Sequence, residues 1–201
     1  MANVGKLFVF EGPDGVGKTT LASSFTEHIV ARGINCEYMS FPGREVGTLG
    51  HHVYEVHHDA ARFGITSIQP LSVQVLHIAA HIDAIETRIL PLLNSGRYVV
   101  LDRFWWSTWV YGVVASANRK ALAAMIEAER ACWGPTQPNA AFLITRTASL
   151  REIEVDRWRE LCDTYAELAE AESRQCPVHI IRNDLADSDA LRQIIDLTEV
   201  D

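Results

Sequence analysis

A lysine and two threonines close a loop punctuated by glycine: Gly12-Pro13-Asp14-Gly15-Val16-Gly17-Lys18-Thr19-Thr20. The spacing fits G-x-x-x-x-G-K-[ST], a pattern whose backbone N–H groups curl around a polyphosphate. In such a loop Lys18 brings a point charge to the β- and γ-phosphates, and the Thr19 hydroxyl reaches Mg²⁺. Gly12, Asp14, Gly15, Val16, Gly17, Lys18, Thr19 and Thr20 are thus the candidate nucleotide-binding residues. A second pair, Asp102-Arg103, follows the apolar run Val99-Val100-Leu101. A carboxylate at the end of a buried strand organises the same cation, making Thr19 and Asp102 the candidate metal residues. An adjacent arginine can grip a phosphate bidentately. Arg44, projected by the Pro42-Gly43 turn, offers a second guanidinium for an acceptor phosphate.

Alternating strands and helices would bring these residues together. Residues 6–11 hold the unbroken apolar run Leu7-Phe8-Val9-Phe10, as expected of a strand covered on both faces. The pattern predicts a helix over 19–32 closed by Gly33, a strand over 35–41 and a helix over 46–60. A long helix is predicted over 70–94, opening at Pro70 and ending at Gly96. Strands follow at 98–101, 140–145 and 178–182, with helices over 155–174 and from about Ser188. Apolar strands joined by helices imply an α/β fold: a doubly wound, five-stranded parallel sheet flanked by helices, with right-handed crossovers. Ligands of such sheets sit beyond the carboxyl ends of the strands, where residues 11–18, 41–44, 102–103 and 146 fall. No repeat, low-complexity stretch or linker interrupts the chain, so residues 1–201 read as a single domain.

Bulk properties bound the partners. A formal net charge of −8 argues against a general nucleic-acid-binding surface, so anion affinity must be local. Cys36, Cys132, Cys162 and Cys176 are scattered, with no zinc spacing, which suits a reducing compartment. No apolar run reaches ~18 residues and the N-terminus carries no signal-peptide pattern, so the expectation is a cytoplasmic protein without a membrane partner.

Taken together, these residues resemble the thymidylate kinase family. Phe10 to Thr20 is similar to that family's opening, and Phe41-Pro42-Gly43-Arg44 to its Phe-Pro-x-Arg loop. Asp102-Arg103-Phe104 with Ser107, Thr108 and Tyr111 resembles its Asp-Arg-Tyr segment, and Trp158 to Ala169 its helix ending in Tyr-x-x-Leu-Ala. The resemblance implies a P-loop kinase domain of the P-loop NTPase fold, with ATP and Mg²⁺ as donor system. It implies a nucleoside monophosphate, usually dTMP, as acceptor, and a homodimer for which the apolar face over 71–89 is a candidate surface, core packing of that face being the alternative. It also implies roles: Asp14 at the acceptor sugar, Arg44 and Arg103 on the acceptor phosphate, Phe41 and Tyr111 in the acceptor site, and Lys18, Thr19 and Asp102 on ATP·Mg²⁺. Two rivals stay open: a deoxynucleoside kinase, for which Glu45 is the candidate base, and a nucleotide-binding protein with little transfer activity.

The chain departs from the family in three places. His81 stands where members usually carry a base-reaching arginine, and His77 where they carry a phenylalanine that stacks on thymine. Gln74, His77 and His81 share a helix face at i, i+3, i+7 that would line the base pocket. A neutral imidazole matches a thymine carbonyl less well than arginine does, so dTMP is expected to be a weak acceptor or not the best one. Titration near pH 6.5 would then tune acceptor affinity. His77 and His81 also have the i, i+4 spacing of a helical metal pair, but spacing indicates no third ligand. His51, His52, His57 and His58 read as a polar helix face beside the acceptor site. The arginine-bearing lid of the family is reduced to a short segment at about 146–157, with Arg146, Arg151, Arg157 and Arg159 as candidates for the arginine that phosphoryl transfer requires. Arg151 and Arg157 join Lys18, Asp102 and Arg103 as the catalytic candidates. Trp105, Trp106 and Trp109 leave two readings open, core or dimer packing and a widened aromatic pocket.

Overall fold

The computed structural model describes residues 5–184 and 187–198. Its first unit runs β1 (Leu7–Glu11), α1 (Lys18–Ala31) and β2 (Cys36–Ser40). Next come α2 (Leu49–His58), a 3₁₀ turn (Ala60–Phe63) and α3 (Pro70–Ala84), which passes through a π turn (Ile85–Ile89) into α4 (Leu90–Asn94). The π turn sits just before Pro91, which has no N–H to continue the regular ladder. Then follow β3 (Tyr98–Asp102), α5 (Trp105–Val114), α6 (Arg119–Trp133), β4 (Ala140–Thr145), α7 (Val155–Glu172), β5 (Val178–Arg182) and α8 (Asp187–Thr198).

The five strands form one parallel sheet in the order β2-β3-β1-β4-β5, as predicted. Alternation along each strand builds two cores. Leu7, Val9, Val99, Leu101, Ala141 and Leu143 face one layer, packed by α3 to α7. Phe8, Phe10, Val100, Phe142 and Ile144 face the other, closed by Phe25 and Ile29 of α1 and Ile194 of α8. With both faces covered, the central strands carry almost no polar residue, which is why they are legible as unbroken apolar runs.

The predicted elements are all present, with ends shifted by a few residues. α5 and α6 are additions to the sequence reading. The face of α6 that packs inward carries Leu122, Ile126, Glu129 and Trp133, all buried. Its start is set by Asn118, whose Oδ1 accepts the Ala121 N–H at 3.0 Å. Asn118→Ala is expected to lower stability by about 1 kcal/mol, the usual cost of losing an N-cap, read from the urea midpoint at unchanged slope. All three tryptophans bear on the core: Trp105 and Trp106 are buried and Trp109 packs against them from the rim. The widened aromatic pocket is therefore set aside in favour of packing. No described helix is long and apolar enough to cross a membrane.

Candidate active site

The carboxyl ends of β1, β2, β3 and β4 converge on one edge of the sheet. β1 delivers the chain into the phosphate loop, and Gly17 and Lys18 open α1, whose N-terminus points its free N–H groups at the loop. Lys18 is 5% exposed and its ammonium donates to the Pro13 carbonyl at 2.7 Å. Burial, reinforced by the Arg103 charge, pushes the Lys18 pKa down to about 7. Thr19 donates to Asp102 Oδ2 at 2.6 Å, and the Tyr38 hydroxyl reaches the same oxygen at 3.2 Å. These hard oxygens beside the loop are the donor set a small divalent cation prefers. Thr20, one position further along α1, is exposed.

Arg103 takes a left-handed backbone conformation, φ 83°, which costs a non-glycine residue roughly 1–2 kcal/mol. Its guanidinium is tied down on two sides, ion-paired to Asp14 and donating to Ser107 Oγ at 2.8 Å, with the Tyr111 ring 5.4 Å away. Tyr111 Oη accepts the Asp14 N–H at 3.0 Å. Burial pushes the Asp14 carboxyl up, but the charges of Arg103 and Lys18 outweigh it and hold the group below its ordinary value. Behind Arg103 lies Glu11, fully buried. It accepts the Phe104 and Ser107 N–H groups at 2.7 and 2.9 Å and the Ser107 hydroxyl at 2.7 Å, with Tyr165 Oη at 3.2 Å. Burial raises its pKa; Arg103 and the Ser107 hydrogen bonds oppose the rise. Glu11 thus ties β1 to α5 and α7 and orients the strand end that presents Arg103.

A cleft of about 530 Å³ opens beside this edge. Asp14, Phe41, Arg44, His77, His81, Arg103, Tyr111, Arg151 and Arg157 all line it, so the sequence candidates for the acceptor side meet at one place. Arg44 lies over the Tyr54 ring at 4.6 Å. Phe41 is 3% exposed and stacks on the His81 ring, centroids 4.1 Å apart and planes 16° apart. His57 and His58 of α2 also face the cleft, and His57 hydrogen-bonds His77 at 3.0 Å. His77 does not titrate near pH 6.5 as expected: burial, aided by neighbouring histidines, drives its pKa to about 3. Among the described residues no three His, Cys, Asp or Glu side chains gather as a metal site. Glu45 pairs with Arg88 at 2.8 Å and does not line the cleft. That removes the carboxylate a deoxynucleoside kinase would need.

The irregular segment 146–154 lies on the phosphate loop. Leu150 N–H donates to the Gly15 carbonyl at 2.9 Å and Ser149 Oγ to the Asp14 carbonyl at 3.2 Å. Gly15 has φ 84° and any Cβ there would collide with Ser149 Oγ, so glycine is required both by backbone conformation and by the segment above it. Of the four candidate arginines, Arg151 and Arg157 reach the cleft, Arg151 at 4.0 Å from Asp14. Arg159 pairs with Asp156 at the surface, and Arg146 does not line the cleft.

Four contributors escaped the sequence reading. Glu11 is expected at the ligand-facing end of its strand, but not its buried partners in α5 and α7. Tyr38 holds Asp102, and Asn183 supports the loop by donating to the Val16 carbonyl at 2.9 Å. Glu129 lies under the cleft, 2.9 Å from His81 Nδ1. Its signal was present: Leu122, Ile126, Glu129 and Trp133 form a helical stripe in which one carboxylate replaces an apolar residue.

The comparisons agree with this geometry. Residues 10–196 match the family model described as thymidylate kinase. The chain is 30% identical over 176 residues to the thymidylate kinase of Orientia tsutsugamushi (strain Ikeda), covering 88% of this chain and 76% of that one. It is 35% identical over 108 residues to that of Thermoanaerobacter sp. (strain X514), 53% of this chain. The matched segments span about half the length of the first curated relatives. The fold superposes on a crystal structure of thymidylate kinase from Ehrlichia chaffeensis with a TM-score of 0.76, at 17% identity, over 98% of this chain and all of that one. A family model spanning almost the whole sheet, together with a phosphate loop and Asp-Arg edge built around one cleft, places this chain in the thymidylate kinase family.

Proposed function

We propose that the chain transfers the γ-phosphoryl group of ATP to a pyrimidine nucleoside monophosphate, dTMP being the foremost acceptor. The observation that carries the reading is the pairing of two arginines with one cleft. Arg44 and Arg103 line the same space, next to the loop that would hold ATP. An unphosphorylated nucleoside would leave Arg44 without an anion and Arg103 with Asp14 alone, so the geometry favours a monophosphate.

In this reading the loop amides and Lys18 hold the β- and γ-phosphates. Asp14 and Tyr111 border the acceptor sugar, and Arg103 and Arg44 orient the acceptor phosphate toward the donor. Arg151 and Arg157 place positive charge where negative charge spreads during transfer. Mg²⁺ bound with ATP would supply positive charge to the phosphates, and Thr19 and Asp102 would hold it. Little covalent chemistry is asked of the protein, so alignment and charge are its contribution. The 146–157 segment would act as a short lid, and the homodimer that the resemblance implies would use the α3 surface, where Val75 and Leu76 are partly exposed.

The test is an ATP-consumption screen over nucleosides and nucleoside monophosphates. dTMP is expected to lead the monophosphates, with nucleosides inactive. A nucleoside as best acceptor would overturn the assignment. A separate prediction follows from the depressed Lys18. Near pH 8 its amine is largely neutral in the free protein, and bound phosphates restore its charge. Calorimetry of a non-hydrolysable ATP analogue in buffers of different ionisation enthalpy should then show uptake of roughly 0.5–1 proton at pH 8, shrinking toward pH 6.

A further inference from the structure

Arg103 and Arg44 line one cleft but are held by opposite means. Arg103 is ion-paired to Asp14 and donates to Ser107 Oγ at 2.8 Å, so part of its charge and donor set is already engaged. Arg44 has no carboxylate or side-chain hydrogen-bond partner among the described residues. Its guanidinium lies over the Tyr54 ring instead, 4.6 Å from the centroid. The acids beside these two residues are directed elsewhere, Glu45 to Arg88 at 2.8 Å and Glu55 to Arg62 at 2.7 Å.

The choice of a ring over a carboxylate has a chemical consequence. An aromatic face attracts a cation through its quadrupole, without cancelling the charge. A carboxylate would hold the arginine more tightly, but an incoming phosphate would then have to displace it. The ring places the guanidinium and leaves its five N–H donors to an anion.

The ring is itself fixed, and α2 does the fixing. His58 stacks on Tyr54, centroids 4.0 Å apart and planes 28° apart, and its Nδ1–H donates to the Tyr54 carbonyl at 2.9 Å. One turn earlier, His51 Nδ1–H donates to the Arg44 carbonyl at 3.1 Å. Gly50 seats the helix directly on the turn before Arg44: a Cβ there would meet the Gly43 and Pro42 carbonyl oxygens at 2.6 and 2.8 Å. One helix thus grips Arg44 by backbone and by side chain, and Tyr54 and His58 line the cleft beside it.

We propose that Tyr54 is a positioning residue for the acceptor phosphate, its ring holding the Arg44 guanidinium over the cleft with the N–H fork left open for the anion. This rests on the cleft being the acceptor site.

The experiment is calorimetric binding of dTMP to the whole chain without ATP. Tyr54→Leu, which removes the ring, should raise the dTMP Kd about fivefold, the size of a cation–π contact near the surface. Tyr54→Phe should stay within about twofold of wild type, because the ring face and not the hydroxyl meets Arg44. In an Arg44→Ala background, Tyr54→Leu should cost less than about twofold, since no guanidinium is left to place. A ring that touched the nucleotide directly would still cost the full factor there. Because Tyr54→Leu could fail to fold, replacing Tyr54 by phenylalanines with one, two and three ring fluorines supplies a second reading. Shape is nearly kept while the face loses electron density, so the dTMP Kd should climb along the series. A flat series, an unchanged Kd in folded Tyr54→Leu, or the full loss in the Arg44→Ala background would overturn the proposal while leaving the kinase reading intact. A wild type that binds no nucleoside monophosphate would overturn the kinase reading, and this inference with it.

Discussion

Lys18→Ala is expected to lower kcat by at least about 1,000-fold in the coupled ATP-consumption assay, with the chain still folded. In the proposed reading the ammonium is the charge placed at the β- and γ-phosphates, and among the described residues no lysine lines the adjoining cleft to replace it. The fold does not depend on it, and in the free protein the ammonium is a burden. Burial lowers the Lys18 pKa to about 7 from an unfolded value near 10.5. Between those limits the unfolded chain binds more protons, so this residue's contribution to stability rises with pH from about 7 to 10.5. Below pH 7 its penalty is felt in full. Lys18→Met, which keeps the stem, should therefore raise the thermal midpoint of the ligand-free protein at pH 6 and change it less at pH 9. Turnover near wild type in either variant would refute the phosphate-loop reading.

Arg103→Ala is expected to cut kcat/KM for the monophosphate by about 100-fold, the loss of a charge-assisted phosphate contact together with the alignment it enforces. Its guanidinium bridges Asp14 and Ser107, so removal also frees Asp14 to regain a proton at higher pH. Arg103→Lys should recover only part of the loss, because a point charge cannot span two partners and a phosphate at once. Arg44→Ala, at an exposed position, should cost closer to tenfold. Unchanged acceptor KM values in both alanine variants would point to an acceptor without a phosphate.

The phosphate loop and the Asp102-Arg103 edge were legible because their chemistry needs contiguous residues after a buried strand. The strands were legible because both faces are covered. α5 was not, since Trp105 to Val114 is apolar on nearly every side and shows no period to read. α6 hid its purpose for a different reason. Glu129 is 48 residues from His81, and only the packing of α6 against α3 brings them together. The sequence therefore brings His81 to the cleft but gives no sign of its buried carboxylate partner. His77 was misjudged, because the burial that depresses its pKa comes from α2 folding over α3. Which arginines the lid would supply depended on the path of residues 146–154, a loop no periodicity describes.

Asp14 belongs to three structures at once. Its carboxylate holds Arg103 and lies near Arg151, its N–H is fixed by Tyr111, and its carbonyl receives Ser149 from the segment above. The phosphate loop, Arg103 and the 146–154 segment thus share one residue. A phosphate that draws Arg103 away from Asp14 alters the loop that would bind ATP, and a nucleotide that reshapes the loop alters Arg103. In the proposed reading the two substrates would be energetically coupled, and such coupling is reciprocal: whatever factor ATP added to the affinity for the acceptor, the acceptor would add to the affinity for ATP.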